Sequence, residues 1–387
     1  MRVFHLELLL VLTVGSLPFS PWAAAQDRAS FQALNFNEPL PLDLLVAQLA
    51  TKRVVFVGEI HDRYDHHLNQ LEIIKRLHEL DPKLAIGVEY FQQPFQKQVD
   101  DYIEGRTPES EFLRATEYYQ RWGYDYRLYA PIFRYARDQR IPVRALNVPT
   151  ALTSAVAKVG IAGLSEQQRA YLPRQIEPAD EEYKNRLRDA FEGHPGLKPD
   201  AFNHFVEAQL VWDEGMAESA AAYLEANTGR RMVILAGAGH VEYGSGIPKR
   251  LKRRTNVTYA IVLNSGEDVE PHIADYFLLS QKQELPGGGI LGVTLRETNG
   301  ECRIASLSSG GGAEKAGLKK GDVLAEIDAV SVKTAADVHL AIWDKKPGGR
   351  VRVKVRRRHD LWRMIDRDFE VQLTAPGTAA GNPSSSE

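Results

Sequence analysis

The sequence predicts an α/β domain with a mainly parallel sheet and helical insertions, followed by a small β-rich domain. Three observations carry this expectation. Short β-branched apolar runs such as Val54–Val57 and Arg231–Ala236 have the length of strands buried on both faces. Between them lie stretches with apolar residues at helical spacing, and strands alternating with helices give a parallel sheet. After Gln281–Gly289, a polar Pro/Gly-rich break, the pattern changes to closely spaced alternating strands.

Composition agrees with a soluble, two-domain chain. Its 387 residues exceed one ordinary core, and 43% apolar with 26% charged residues is usual for globular proteins. A net charge of -3 gives no domain-wide basic excess, so no nucleic-acid partner is expected. Met1-Arg2, the apolar Leu6–Val14 and Ala23-Ala24-Ala25 have the layout of a signal peptide over 1–25, cleaved near Ala25. The single cysteine, Cys302, allows no internal disulfide. Export without disulfides fits a bacterial envelope, so a periplasmic or otherwise exported location is expected.

In chain order, Leu42–Leu49 reads as a covering helix and Arg53–Val57 as the first strand. Leu68, Leu71, Ile74, Leu77 and Leu80 place a helix over 64–80, ended by Pro82, and Leu84–Val88 is the second strand. This βαβ unit should cross over right-handed. A mostly helical region follows, with PVRAL at 142–146 as a third strand and one long helix over 201–226. RMVILA at 231–236 and VTYAIVL at 257–263 complete the sheet, giving an α/β domain over 40–279 and a linker over 280–289. The β-rich domain occupies 290–375 with a helix over 337–343, and a disordered tail is expected at 376–387.

Polar groups stand at the C-terminal ends of several strands: Glu59 and His61, Glu89, and His240 after Gly237 and Gly239. That edge of a parallel sheet is where ligands bind. Two imidazoles and two carboxylates at one rim are a donor set for a divalent transition metal such as Zn, Mn or Fe, with His61 and His240 as ligands. A carboxylate left free, Glu59 or Glu89, would then be the general base of a hydrolase. Taken singly, Glu59 reads as a helix cap, Glu89 as an arginine partner and His240 as a core histidine; only their convergence makes a site. His66 and His67 miss the i, i+4 spacing of a helical metal pair with His61. The aromatic stretch Trp122–Tyr126, with Tyr118, Tyr119 and Tyr129, either packs the helical cap or walls a pocket for a flat ligand, one phenolate reaching an iron. Asp213 shares a helix face with Gln209 and Met216 and is a candidate partner behind the rim. Arg350–Arg358 alternates basic residues with Val, which places the charges on a solvated strand face, an acidic partner being the weaker alternative.

GEIHD at 58–62, GVEYF at 87–91, the 122–126 segment, ALNVP at 145–149, AQLVWDEGMA at 208–217 and AGAGH at 236–240 together resemble the ChaN-like haem-uptake family. That family sits in a superfamily with Tiki proteases, TraB proteins and erythromycin esterases. The resemblance implies a haem-binding envelope protein of iron uptake, with Glu59, His61, Glu89 and His240 in the shared pocket. Other branches are hydrolases using those positions, which keeps a metal-dependent peptidase or esterase as the alternative. GILGV at 289–293 and AEKAGLKKGDVLAEI at 313–327 resemble a PDZ domain. This implies capture of a protein C-terminal peptide by the loop Gly289, Ile290, Leu291, Gly292 and Val293. Such domains also dimerise, so a homodimer is a further expectation.

Overall fold

A computed structural model describes residues 31–34, 39–192, 201–264, 272–360 and 363–376. The expected signal peptide and almost all of the expected tail lie outside these residues. Strands β1 (Phe31–Leu34) and β2 (Pro39–Leu40) precede α1 (Leu42–Leu49), β3 (Val54–Glu59), α2 (Tyr64–Leu80) and β4 (Leu84–Gln92). Helices α3 (Gln96–Ile103), α4 (Glu109–Ala115), α5 (Tyr118–Arg121) and α6 (Ala130–Asp138) then form the aromatic cap before β5 (Val143–Asn147). Next come α7 (Thr150–Val159), α8 (Glu166–Arg169), α9 (Glu181–Glu192) and the 25-residue α10 (Phe202–Ala226). The domain closes with β6 (Arg231–Gly237), α11 (Ile247–Thr255), β7 (Tyr259–Asn264) and β8 (Tyr276–Ser280).

The eight strands lie in the order β2-β1-β8-β7-β3-β6-β4-β5. From β8 to β5 all neighbours are parallel, while β1 and β2 add antiparallel at one edge. Because β3, β6 and β4 are central, every residue of β3 and β4 is buried, which is why those runs are continuously apolar rather than alternating. One core layer, including Val55, Val57 and Ile74, packs α2 and the aromatic cap on one sheet face. The other, including Phe56, Ile234 and Leu224, packs α10 and α11 on the opposite face. Gly58 makes this possible: a Cβ there would stand 2.5 Å from Leu263 Cδ2. Strands β1, β2 and β8 are not legible as strands in the sequence, since they are short and β1 and β2 sit among polar residues. No helix among the described residues is long and apolar enough to cross a membrane.

The second domain is a six-stranded antiparallel sheet built from β9 (Val293–Thr298), β10 (Glu301–Leu307), β11 (Val323–Ile327), β12 (Val330–Ser331), β13 (Arg350–Arg358) and β14 (Met364–Gln372). Helices α12 (Gly312–Lys315) and α13 (Ala335–Ile342) complete it. Thr334 caps α13 through a reciprocal box with Asp337. The basic strand β13 has acids across from it: Arg350 pairs with Glu370 at 2.7 Å and Arg352 with Asp368 at 3.2 Å. Its charges are therefore largely answered within the sheet, in line with a solvated face.

Candidate functional site

The parallel order brings the C-terminal ends of β3, β4 and β6 side by side, and with them the expected acids and imidazoles. Glu59 ends β3 and is buried, with one oxygen 2.6 Å from Nδ1 of His61. Its other oxygen is buried without a hydrogen bond, 3.8 Å from His67 Nε2. Glu89, on β4, accepts the Gly237 N–H at 2.8 Å across the gap between β4 and β6. Its second oxygen faces His240 Nε2 at 3.4 Å, and His240 Nδ1 lies 2.7 Å from Asp213 on α10. Gly237 is the common floor, since a Cβ there would meet His61 Cε1 at 2.9 Å and Glu89 at 3.6 Å. All four expected rim residues thus converge. Among the described residues Glu59 does not cap the next helix and Glu89 pairs with no arginine, while Asp213 stands behind His240.

The charges of this cluster are coupled. Burial works against a proton on His240, but the Glu89 charge and the Asp213 hydrogen bond overrule it and raise its pKa to about 10. Burial likewise pushes Glu89 up, yet the charge and hydrogen bond of His240 bring it down to about 2. His61 is raised too: its burial is outweighed by the hydrogen bond and charge of Glu59 and then by Glu89. At neutral pH His240 is therefore an imidazolium facing an ionised Glu89. Among the described residues, no group of three or more His, Cys, Asp or Glu is arranged to hold a metal ion.

His61 is the member that reaches outward, with its side chain 27% exposed. Its Nε2 makes no hydrogen bond among the described residues, whereas its Nδ1 is fixed by Glu59. The rings of Trp122 and Tyr124 flank it, with centroids 4.8 and 5.0 Å away. The aromatic stretch accordingly packs the cap and also borders the rim. Tyr118, Tyr126 and Tyr129 are fully buried and pack the cap, while Tyr124 is 37% exposed beside the rim. Burial, followed by the charges of Glu59, Asp62 and Glu89, raises the Tyr124 phenol and keeps it protonated. Tyr129 tethers the cap to the rim by donating its hydroxyl to the His61 carbonyl at 3.1 Å.

His66 and His67 serve the scaffold. His66 Nδ1 accepts the Ile60 N–H at 3.1 Å, and His67 contacts Gln70 at 3.0 Å and the His61 carbonyl at 3.1 Å. Neither reaches the rim as a ligand. The sequence points to Asp213 only as a secondary candidate and gives no sign of Tyr183, whose hydroxyl donates to Asp213 at 2.6 Å. The Trp-Asp pair at 212–213 was the available signal, as Trp212 lies edge-on to His240 with centroids 6.1 Å apart.

Fold and site define an α/β domain with an acid–imidazole rim under an aromatic cap, joined to an antiparallel domain. Residues 45–251 match the family described as haem-binding uptake, Tiki superfamily, ChaN, and residues 289–366 match the PDZ domain. The chain belongs to the ChaN family of haem-binding uptake proteins. It is similar to ChaN of Campylobacter jejuni, whose structure shows cofacial haem binding, with 17% identity and a TM-score of 0.54 over 65% of this chain and 97% of that one. At that identity the likeness shows the fold. The chain is also 28% identical to Protein RETICULATA-RELATED 5, chloroplastic, of Arabidopsis thaliana over 229 residues, 54% of this chain. It spans 30% of the length of that curated relative. The PDZ domain of a carboxy-terminal protease from Vibrio cholerae in complex with peptide aligns with 23% of the chain and 95% of its own length, at 22% identity and a TM-score of 0.20.

Proposed function

We propose that this protein is an exported, periplasmic haem-binding protein whose second domain binds a protein C-terminus. The observation that carries the haem reading is the partly exposed imidazole of His61, whose Nε2 makes no hydrogen bond among the described residues, flanked by Trp122 and Tyr124. A donor nitrogen between aromatic faces, with the opposite ring nitrogen held by a carboxylate, fits an axial haem ligand supported from behind. Haem, when bound, supplies an iron centre that accepts an axial donor. Glu59 orients the imidazole and takes part of its charge, Trp122 and Tyr124 offer apolar area to a flat ring, and the Tyr124 hydroxyl, which has no partner among the described residues, is a second oxygen donor at the rim. In the neutral imidazole, with Nδ1–H held by Glu59, Nε2 is the nitrogen with a free lone pair. A homodimer placing two such faces together is compatible with this role. Titrating purified protein with hemin tests it: a perturbed Soret band saturating at a defined stoichiometry is expected, and an unchanged spectrum would overturn it.

A second reading, hydrolysis of an ester or peptide, draws on the Asp213–His240–Glu89 chain of contacts. In that reading His240 is a proton donor rather than a base, because it stays charged through neutral pH. Glu59 or Glu89 would then have to activate water; a divalent metal at His61 and His240 would instead require both imidazoles to be neutral. Release of a chromogenic ester product that disappears in His240→Ala would support it, and activity surviving that change would count against it.

A further inference from the structure

A groove of about 400 Å³ runs between β9 and α13, and part of its wall belongs to the other domain. β9 is the outer strand of its sheet, hydrogen-bonded to β10 alone among the described residues. Its free edge therefore offers backbone groups to an added strand. At the head of that edge Gly292 has a φ of +76°, a conformation that favours glycine. The N–H groups of Leu291 and Gly292 make no hydrogen bond among the described residues, while their carbonyls accept from Ala313 and Ser308. Leu295, Val338 and Ile342 supply apolar lining.

The first domain contributes Arg127 and Tyr119. The Arg127 guanidinium rests on Gly288, where a Cβ would lie 2.7 Å from its Nη1. Asp125 holds it through Nε at 3.0 Å and Nη2 at 2.5 Å, and Nη1 donates to the Pro286 carbonyl at 2.7 Å. It is the one Arg or Lys among the described residues lining the groove. Tyr119 stacks on His339 of α13, with centroids 5.7 Å apart and planes 24° from parallel. This wall is fixed in place: Trp343, just after α13, lies edge-on to Tyr126 at 5.4 Å and under the Arg134 guanidinium at 5.9 Å.

The geometry points to a composite peptide site, in which the α/β domain helps to read the segment that the β-rich domain clasps. The occupant is an extended C-terminal segment of a partner protein with a free carboxylate, added to β9. Its carboxylate meets the Leu291 and Gly292 N–H groups and the Arg127 guanidinium, and Tyr119 closes the opposite flank. Charge complementarity favours this occupant: the unpaired N–H groups of Leu291 and Gly292 and the Arg127 guanidinium, itself held by the lining Asp125, border a groove whose apolar wall is Leu295, Val338 and Ile342. The inference rests on the peptide-binding reading of the second domain given above.

The test uses the full chain and an array of fluorescent synthetic peptides with randomised C-terminal residues, each made as free acid and as amide. The unaltered chain is expected to bind a subset of the free acids. Arg127→Ala should weaken those by about tenfold, the size of one charge-assisted hydrogen bond, while leaving binding of the amides unchanged. Arg127→Lys should recover part of the loss, which a folding defect would not allow. Free-acid binding unaltered in Arg127→Ala would overturn the composite site and leave peptide capture standing. Absence of binding by the unaltered chain would overturn the peptide reading itself. Concentration-dependent dimerisation that competes with every peptide would assign the groove to a second copy and overturn the proposal.

Discussion

His240 and Asp213 face each other across the β6–α10 junction with 2.7 Å between Nδ1 and Oδ1. The contact joins a helix to the end of a strand and fixes which ring nitrogen turns toward Glu89. With the Glu89 charge, the larger effect, it also holds the proton on His240. His240, raised to about 10, contributes stability that is complete below its unfolded value near 6.5 and is lost as pH rises toward 10. Its ring carbon NMR shifts should therefore stay constant between pH 6 and 8. In Asp213→Asn the titration should fall by roughly one to three units, as expected when a neighbouring anion is removed. A His240 that titrates near 6.5 in the unaltered chain would contradict this picture.

Glu59 is the support behind His61. Replacing it with Gln keeps the shape but removes the charge that orients and enriches the imidazole. Hemin affinity should fall by about tenfold, the lower range for losing a carboxylate behind a ligating histidine, with little change in melting temperature. His61→Ala should lower it further, and Tyr124→Phe would show whether the phenol contributes. Soret titrations under identical conditions measure all three.

Gly237→Ala probes the floor of the site. The new methyl would meet His61 Cε1 at 2.9 Å, closer than packed atoms sit, so the partly exposed imidazole must swing outward. Hemin affinity should change several-fold while stability moves by roughly 1 kcal/mol or less, since the backbone there needs no positive φ. Chemical unfolding beside a hemin titration separates the two effects.

His66 gives a stability signature of opposite sign to His240. Burial, only partly offset by Asp65, lowers its pKa to about 4, so it is neutral in the fold and takes up a proton on unfolding below 6.5. Its contribution is complete above pH 6.5 and declines as pH falls toward 4, by a total on the order of 3 kcal/mol. Urea unfolding at pH 7 and pH 5 should show the loss, and His66→Gln should show a smaller difference between the two. Equal pH sensitivity in both proteins would refute the assignment.

Trp343 is the main apolar anchor between the domains, lodged with Leu340 among the first domain's aromatic core. Trp343→Ala should cost roughly 3 kcal/mol, the usual range for a buried indole. It should also separate one thermal transition into two by calorimetry. Retention of a single unchanged transition would show that the interface is held elsewhere.

Much of this was readable from the chain. Val54–Val57 and Arg231–Ala236 announce central strands because burial on both faces demands unbroken apolar runs, and the helix over 64–80 matches its apolar spacing to the residue. The rim residues Glu59, His61, Glu89 and His240 were found because they end such strands. The sequence by itself therefore determined the α/β alternation, the second domain and which acids and imidazoles end the strands. The tertiary structure decided the rest: that β6 inserts between β3 and β4, that Asp213 backs His240, that His67 is scaffold, and that Arg127 borders a groove of the other domain. Local periodicity records which face of an element is buried, but a hydrogen bond between residues 27 apart, or a contact across two domains, is fixed only when strand order and packing bring distant side chains together.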